Sequence, residues 1–429
     1  MPETNDAFVA PGLRSPFAKI DRELGDLDGL QLSVPVVQQT VVGERGPSEA
    51  GLVDLMLWGS VIPDLEVSNW GREVWLEAGL DPLVPAQGIV QACGTSLAAA
   101  THAAGQVRSG QVGLALCGGV ESMSGVQIGL RKGASRALRR LGTAGSPGEA
   151  LGALGSVGLS DLGLHVPEVE ERTTGLSMGE HAEIMARDWD IPREKQDEVA
   201  AASHHRAAEA REEGFFRPLL VSHGTFEADR DGIVRPDTSV EALAGLPPAF
   251  DRDRGTLTAG NSTPLTDGAA ACWVGSEAGV DRLPGSVPRA RLVDWRQEAV
   301  DLRTEGLLMA PAVALPRMLE EHGLSYDDVD LWEIHEAFAA QVLCTVRALE
   351  SEEWLRDRVG VSGDLGRVPI DRINPNGGSI ALGHPFAATG ARILSQAVRE
   401  LDRRPAGTLG VVSICAAGGL GHVALLEAA

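Results

Sequence analysis

Two cysteines and two histidines stand where side chains do chemistry rather than fill a core. Cys93 follows the short apolar run Gly88-Ile89-Val90-Gln91-Ala92 and precedes Gly94-Thr95, where an Ala-rich stretch begins. A thiol at the start of a helix faces unpaired N–H groups and the positive end of the helix dipole, which favour an anion. The expectation is a lowered thiol pKa and a larger thiolate fraction. His384 lies between Gly383 and Pro385 in a Gly-rich loop before a helix, a usual place for a catalytic base. His335 ends the apolar run Trp332-Glu333-Ile334, where a buried structural histidine is the competing reading. Cys415 closes another apolar run before Gly418-Gly419, with core packing as its competitor. Taken together, the four make a nucleophile-and-base set.

The elements that must position them alternate. Ala7 to Pro16 reads as a strand ending in a loop, and Asp54 to Glu77 as a helix interrupted at Pro63. Thr95 to Val107, with no proline, reads as a helix closed near Gly110. Val112 to Cys117 reads as a buried strand, followed by Gly118-Gly119. The end of the chain repeats this plan: a helix over Thr389 to Leu401, a strand over Thr408 to Ile414 reaching Cys415, then a strand over His422 to Leu426. Alternating strands and helices point to an α/β protein, and the shared layout hints at duplication. Glu194 to Glu213 reads as a charged, exposed helix, and Glu277 to Pro288 as the boundary between halves. Gly142 to Gly163 looks like an excursion from the core. Before it, residues 129–141 hold Arg131, Lys132, Arg136, Arg139 and Arg140 without an acid, with Leu130, Ala134, Leu138 and Leu141 on one helical face. A solvated surface helix competes there with a partner or membrane contact.

The bulk numbers exclude several classes. A chain of 429 residues can bury a large core. It has no run of eighteen apolar residues, so no transmembrane helix is expected. Its polar, acidic start lacks the basic and apolar regions of a signal peptide, and a cytoplasmic location is the simplest expectation. The net charge of −23 repels nucleic acid and anionic lipid. Five widely spaced cysteines with no C-x-x-C argue against a disulfide framework or a zinc ribbon.

Six segments in order resemble the thiolase family, over nearly the whole chain. They are Gln91-Ala92-Cys93-Gly94-Thr95-Ser96, Cys117-Gly118-Gly119-Val120-Glu121-Ser122-Met123-Ser124, Thr258 through Ala270, His335-Glu336-Ala337-Phe338, Gly383-His384-Pro385, and Cys415-Ala416-Ala417-Gly418-Gly419-Leu420-Gly421. The resemblance implies a thiolase fold: two duplicated α/β halves in a five-layered α-β-α-β-α core with an inserted loop domain. The halves would be 1–284, with the insert at about 125–245, and 285–429. It assigns Cys93 as nucleophile, His384 as its activator and Cys415 as acid/base at the substrate α-carbon. His335 would assist at an oxyanion, and the backbone N–H groups of Cys93 and Ala417 would hold a second one. Met178, Ala259, Thr263 and Phe338 would line the acyl-CoA and CoA path. No metal or resident cofactor is expected, because coenzyme A is a substrate.

Departures from the usual pattern narrow the reading. His335 stands where many family members have Asn, and so looks like the thiolase subunit of a fatty-acid β-oxidation multienzyme complex. Ser177-Met178 lacks the His that short-chain members place before Met. Both favour longer 3-ketoacyl substrates, cleaved through an acyl-Cys93 intermediate. Ala417 and Ala387 replace frequent glycines. The alternatives are a short-chain or condensing acetyltransferase, a ketoacyl synthase (which Cys415 disfavours) and a non-catalytic lipid-binding scaffold. Implied partners are a second copy, as homodimer or homotetramer, and a hydroxyacyl-CoA dehydrogenase/enoyl-CoA hydratase subunit docking at 129–141, with at most peripheral membrane contact and no nucleic acid.

Overall fold

The computed structural model describes residues 6–47, 50–165, 167, 169–221, 224–226, 230–361 and 363–429. Among strands longer than two residues and the longer helices, the first half runs β1 (Phe8–Arg14), α1 (Gly29–Val42), β2 (Leu55–Gly59), α2 (Trp70–Glu77), β3 (Ala86–Gly88), α3 (Thr95–Arg108) and β4 (Leu114–Glu121). It continues with α4 (Lys132–Gly142), α5 (Pro147–Gly155), α6 (Met178–Asp188), α7 (Arg193–Glu212) and β5 (Thr266–Gly275). The second half runs β6 (Ala290–Ala299), α8 (Pro311–Glu321), β7 (Leu331–Ile334), α9 (Ala339–Leu349), α10 (Thr389–Leu401), β8 (Leu409–Ala416) and β9 (Leu420–Ala428).

Strand order is β7-β8-β9-β6-β1-β5-β4-β2-β3. In the first half β1–β5 and β5–β4 are antiparallel, and β4–β2 and β2–β3 parallel. The second half repeats the directions: β6–β9 and β9–β8 antiparallel, β8–β7 parallel. Phe8↔Arg291 and Val9↔Ala290 pair the first strand of one half with the first strand of the other. Each strand points alternate side chains to opposite faces, and this sorts the core. Met56 and Trp58 pack with Val36 and Trp75 of α1 and α2. Leu55 and Leu57 pack with Leu97 and Ala100 of α3, and Val412 and Ile414 of β8 join the same cluster with Ile393 and Leu394 of α10. Val411, Cys415 and Val423 face the opposite way, toward α8 and α9. Helices α3 and α10 are therefore the middle layer of α-β-α-β-α, as the thiolase resemblance implies.

Several expectations change. The stretch Asp54 to Glu77 is not one broken helix, because Leu55–Gly59 is a fully buried strand paired on both sides. A parallel strand covered on both faces reads as a continuous apolar run, which periodicity alone does not separate from a helix. Strand β4 continues through Gly118-Gly119 to Glu121 instead of stopping at Cys117. Helix α7 is not simply exposed, since Asp197, Ala200, Ser203, His204 and Ala207 form a buried face. A second compact unit comprises Ile62–Glu66 and Val126–Val169. Outside it, α6 packs on α9, and α7 on α9 and the short helical turn Ser379–Leu382. No helix among the described residues is long and apolar enough to cross a membrane.

Candidate active site

Cys93 sits on a sharp turn rather than at the end of a strand. Ala92 adopts φ +47°, a left-handed conformation that costs a residue with a Cβ about 1 kcal/mol. The turn is tied by Gly94 N–H to Gln91 O (3.0 Å) and Thr95 N–H to Ala92 O (3.1 Å). Thr95 Oγ1 donates to Ala92 O (2.7 Å) and accepts from Gln91 N–H (2.8 Å). The thiol is thus presented immediately before α3.

Its protonation differs from the sequence expectation. Burial pushes the Cys93 thiol up to about 12; N–H groups of Ala417 and of Cys93 itself pull it down, and the buried Glu121 carboxylate adds to the rise. Desolvation of this partly buried residue outweighs the helix N-terminus. At neutral pH Cys93 therefore rests as a thiol.

Two histidines flank it. Sγ of Cys93 and one ring nitrogen from each of His335 and His384 lie within 4.8 Å of one another. The two rings are 4.1 Å apart, centroid to centroid. His384 Nδ1 is 2.6 Å from Thr389 Oγ1, at the start of α10, and His335 Nδ1 is 2.7 Å from Ser379 Oγ. Both Nε2 atoms are buried and, among the described residues, meet no hydrogen-bond partner, so each histidine keeps one ring nitrogen for the site. His384 N–H donates to Thr266 Oγ1 (3.0 Å), and His335 N–H to Ser413 O (2.8 Å), which extends the β7–β8 ladder. Burial, with Arg392 nearby, holds His384 down at about 3; burial, His384 and Arg392 hold His335 well below the ordinary imidazole value. Both rings are neutral at pH 7.

Cys415 closes the site from β8. Its thiol is raised by burial and by Cys93 beside it. Gly418 (φ +84°) and Gly419 (φ +74°) then turn the chain in a conformation glycine adopts freely, and the Ala417 N–H reaches Cys93.

The support for His384 comes from β4. A Cβ on Gly119 would lie 2.5 Å from Ala387 O and 2.9 Å from Ala387 Cβ, so the absence of a side chain lets the segment after His384 rest on the strand. Glu121 then accepts from Ala387 N–H (3.4 Å), Ser60 Oγ (2.9 Å) and Val61 N–H (3.1 Å). Glu336 fixes the neighbouring loop by accepting from Ser203 Oγ (2.7 Å), Asn374 Nδ2 (2.6 Å) and Ile380 N–H (3.2 Å).

The four residues expected on the substrate path lie in different settings. Met178 packs against the apolar cluster that holds Phe338, and Phe338 meets Phe250 edge to face at 5.8 Å. Thr263 Oγ1 donates to Ser379 O (2.8 Å). Ala259 is exposed. The sequence motifs did not single out Ser379, Thr389, Thr266, Glu336 or Arg392 for these roles. Arg392 alone carried a signal, as a lone charge in Ala391-Arg392-Ile393-Leu394, on a helix buried nearly all round.

Comparisons with known proteins bear on the whole chain. The family model "Thiolase, N-terminal domain" matches residues 7–278, and "Thiolase, C-terminal domain" matches 286–428. A curated protein of Pectobacterium atrosepticum named 3-ketoacyl-CoA thiolase is 39% identical over 425 residues, covering 98% of this chain and 96% of that protein. One of Shewanella baltica with the same name is 37% identical over 423 residues, with the same coverage. The crystal structure of the Bacillus anthracis acetyl-CoA acetyltransferase superposes with a TM-score of 0.82 at 30% identity, covering 100% of both chains.

Proposed function

The chain belongs to the thiolase family, and from that premise we propose that it is a 3-ketoacyl-CoA thiolase: it cleaves a 3-ketoacyl-CoA with CoA into acetyl-CoA and a shortened acyl-CoA in fatty-acid degradation. The observation that carries the reading is the convergence of Cys93, His384 and His335 within 4.8 Å, with Cys415 beside the nucleophile.

Each group is in the protonation state its role needs. Cys93 starts as a thiol and His384 as a neutral base, so Cys93 gives its proton to His384 Nε2 as the sulfur attacks the 3-keto carbon. The backbone N–H groups of Cys93 and Ala417 stabilise the oxygen that becomes charged there. The C2–C3 bond breaks with its electron pair moving into an acetyl-CoA enolate, whose oxygen takes hydrogen bonds from the two histidines. Removing one such donor typically costs ~10²–10³-fold in rate. Cys415, kept protonated by burial, gives its proton to the enolate carbon. Coenzyme A then attacks acyl-Cys93, its thiol proton passing to the Cys415 thiolate, and the departing Cys93 sulfur recovers its proton from His384; both cysteines return to thiols, and the two half-reactions predict ping-pong kinetics. In this scheme CoA is a substrate and no resident cofactor takes part. Met178, Ala259, Thr263 and Phe338 are assigned to the acyl-CoA path, and the shared site leaves condensation as the reverse direction.

The test is thiolysis of a 3-ketoacyl-CoA chain-length series by wild type and Cys93→Ala, with intact mass after incubation with acyl-CoA. Expected are an acyl adduct on wild type and loss of at least ~10⁴-fold activity in the variant. Near wild-type turnover by Cys93→Ala would sink the assignment.

The reading extends to a cytoplasmic homodimer or homotetramer, checked by fractionation and light scattering, and to a partner. In the Val126–Val169 unit, Arg136, Arg139 and Arg140 are exposed on α4, and Leu138, Leu151, Leu154 and Leu159 of the same unit are exposed too. Exposed apolar side chains beside a basic stripe support a docking role, and a hydroxyacyl-CoA dehydrogenase/enoyl-CoA hydratase subunit is the proposed occupant. Reversing the charges of Arg131, Lys132, Arg136, Arg139 and Arg140 should abolish its co-purification. Undiminished co-purification would refute the docking site.

A further inference from the structure

The two histidines share one pocket, yet only one is held by a serine that an arginine already occupies. Arginine can only donate hydrogen bonds. Arg392 is 2% exposed, and its Nη2 lies 2.6 Å from Ser379 Oγ, so that oxygen accepts from it. His335 Nδ1 lies 2.7 Å from the same oxygen. Ser379 is fully buried, and among the described residues its hydroxyl meets no hydrogen-bond partner besides these two.

Two proton arrangements fit these distances. In one, the Ser379 O–H donates to a bare His335 Nδ1. In the other, His335 Nδ1–H donates to Ser379, and the serine hydrogen is left buried with no acceptor. Among the described residues each arrangement leaves one buried donor without an acceptor, the Nε2–H in the first and the Ser379 O–H in the second, but the second also leaves His335 Nε2 as an unpaired buried acceptor, which costs further free energy. The first arrangement therefore prevails, and a neutral imidazole bare at Nδ1 carries its hydrogen on Nε2.

We infer that Ser379, oriented by Arg392, fixes His335 as the Nε2–H tautomer and so makes it a permanent hydrogen-bond donor into the site, never a base. His335 Nε2 is buried and unpartnered beside Cys93 and His384, where a substrate oxygen is the acceptor it lacks. Thr389, which holds His384 Nδ1, accepts from no such arginine among the described residues, so nothing comparable keeps His384 from serving as the base. Ser379 and Arg392 act through His335 and are positioning residues. What the Nε2 proton is used for rests on the thiolase reading; where it sits does not.

Nitrogen-15 NMR of the full chain labelled in histidine locates the proton directly, with the His335 signals assigned by their loss in His335→Asn. A protonated Nε2 and bare Nδ1 are expected, and a protonated Nδ1 overturns the inference even if the enzyme is a thiolase. The kinetic arm compares Ser379→Ala in two backgrounds. With His335 present, loss of the serine should lower kcat for thiolysis about tenfold or more, within the ~10²–10³-fold a lost donor costs. With His335→Asn, whose amide N–H₂ has no tautomer to set, the same change should cost less than about threefold. Equal losses in both backgrounds would mean that Ser379 is only structural.

Discussion

Strands β4 and β8 are counterparts in the two halves, and each carries a buried cysteine with opposite prospects. Each comes after a central helix, pairs antiparallel with the next long strand and parallel with another. Cys117 lies mid-strand in β4, opposite Cys272, with its Sγ 3.6 Å from Ala99 O of α3. Cys415 lies one residue before the end of β8, next to Cys93. Burial raises both thiols, so burial does not separate them. The paired glycines after each cysteine do. Gly118 and Gly119 stay extended, and their missing side chains admit Trp58 and Ala387. Gly418 and Gly419 leave the strand in a left-handed turn that follows the Ala417 N–H bonded to Cys93. A duplicated scaffold supplies the position, and the local exit from the strand decides whether a thiol there lies beside Cys93.

Substitution on the two strands measures this contrast. Cys415→Ala should lower thiolysis by ~10²–10⁴-fold, the usual contribution of a positioned proton donor. It should still acylate Cys93 yet fail to exchange acetyl-CoA α-protons with deuterium, as read by mass spectrometry. Normal exchange would remove Cys415 from the mechanism and erase the distinction between the strands. Cys117→Ala should leave thiolysis within about twofold and cost about 1 kcal/mol of stability, measured by denaturant unfolding. A tenfold loss of turnover at unchanged stability would mean that β4 also carries chemistry.

Much of the site was legible because its signals are local. Cys93 before an Ala-rich helix, His384 between Gly383 and Pro385, and Cys415 before paired glycines are short-range patterns of turn chemistry. Helix α10 begins and ends where its pattern places it, at Thr389 and Leu401. Other parts departed from expectation for physical reasons. Leu55–Gly59 is covered on both faces and shows no alternation. Helix α7 looks uniformly charged, but it sends Ser203 to Glu336, 133 residues away.

Residue types and their neighbouring turns were enough to mark the candidate nucleophile and base, the second cysteine, the duplicated α/β plan and the family, because each of these is encoded within a few positions. The protonation states, and the hydrogen bonds that enforce them, emerged only from packing. The Cys93 thiol is raised rather than lowered because atoms from distant segments exclude water from its sulfur. His335 is held through Ser379, 44 residues on, and Ser379 by Arg392 on another helix. Desolvation and proton direction depend on what the whole chain packs around an atom, and no local pattern records that.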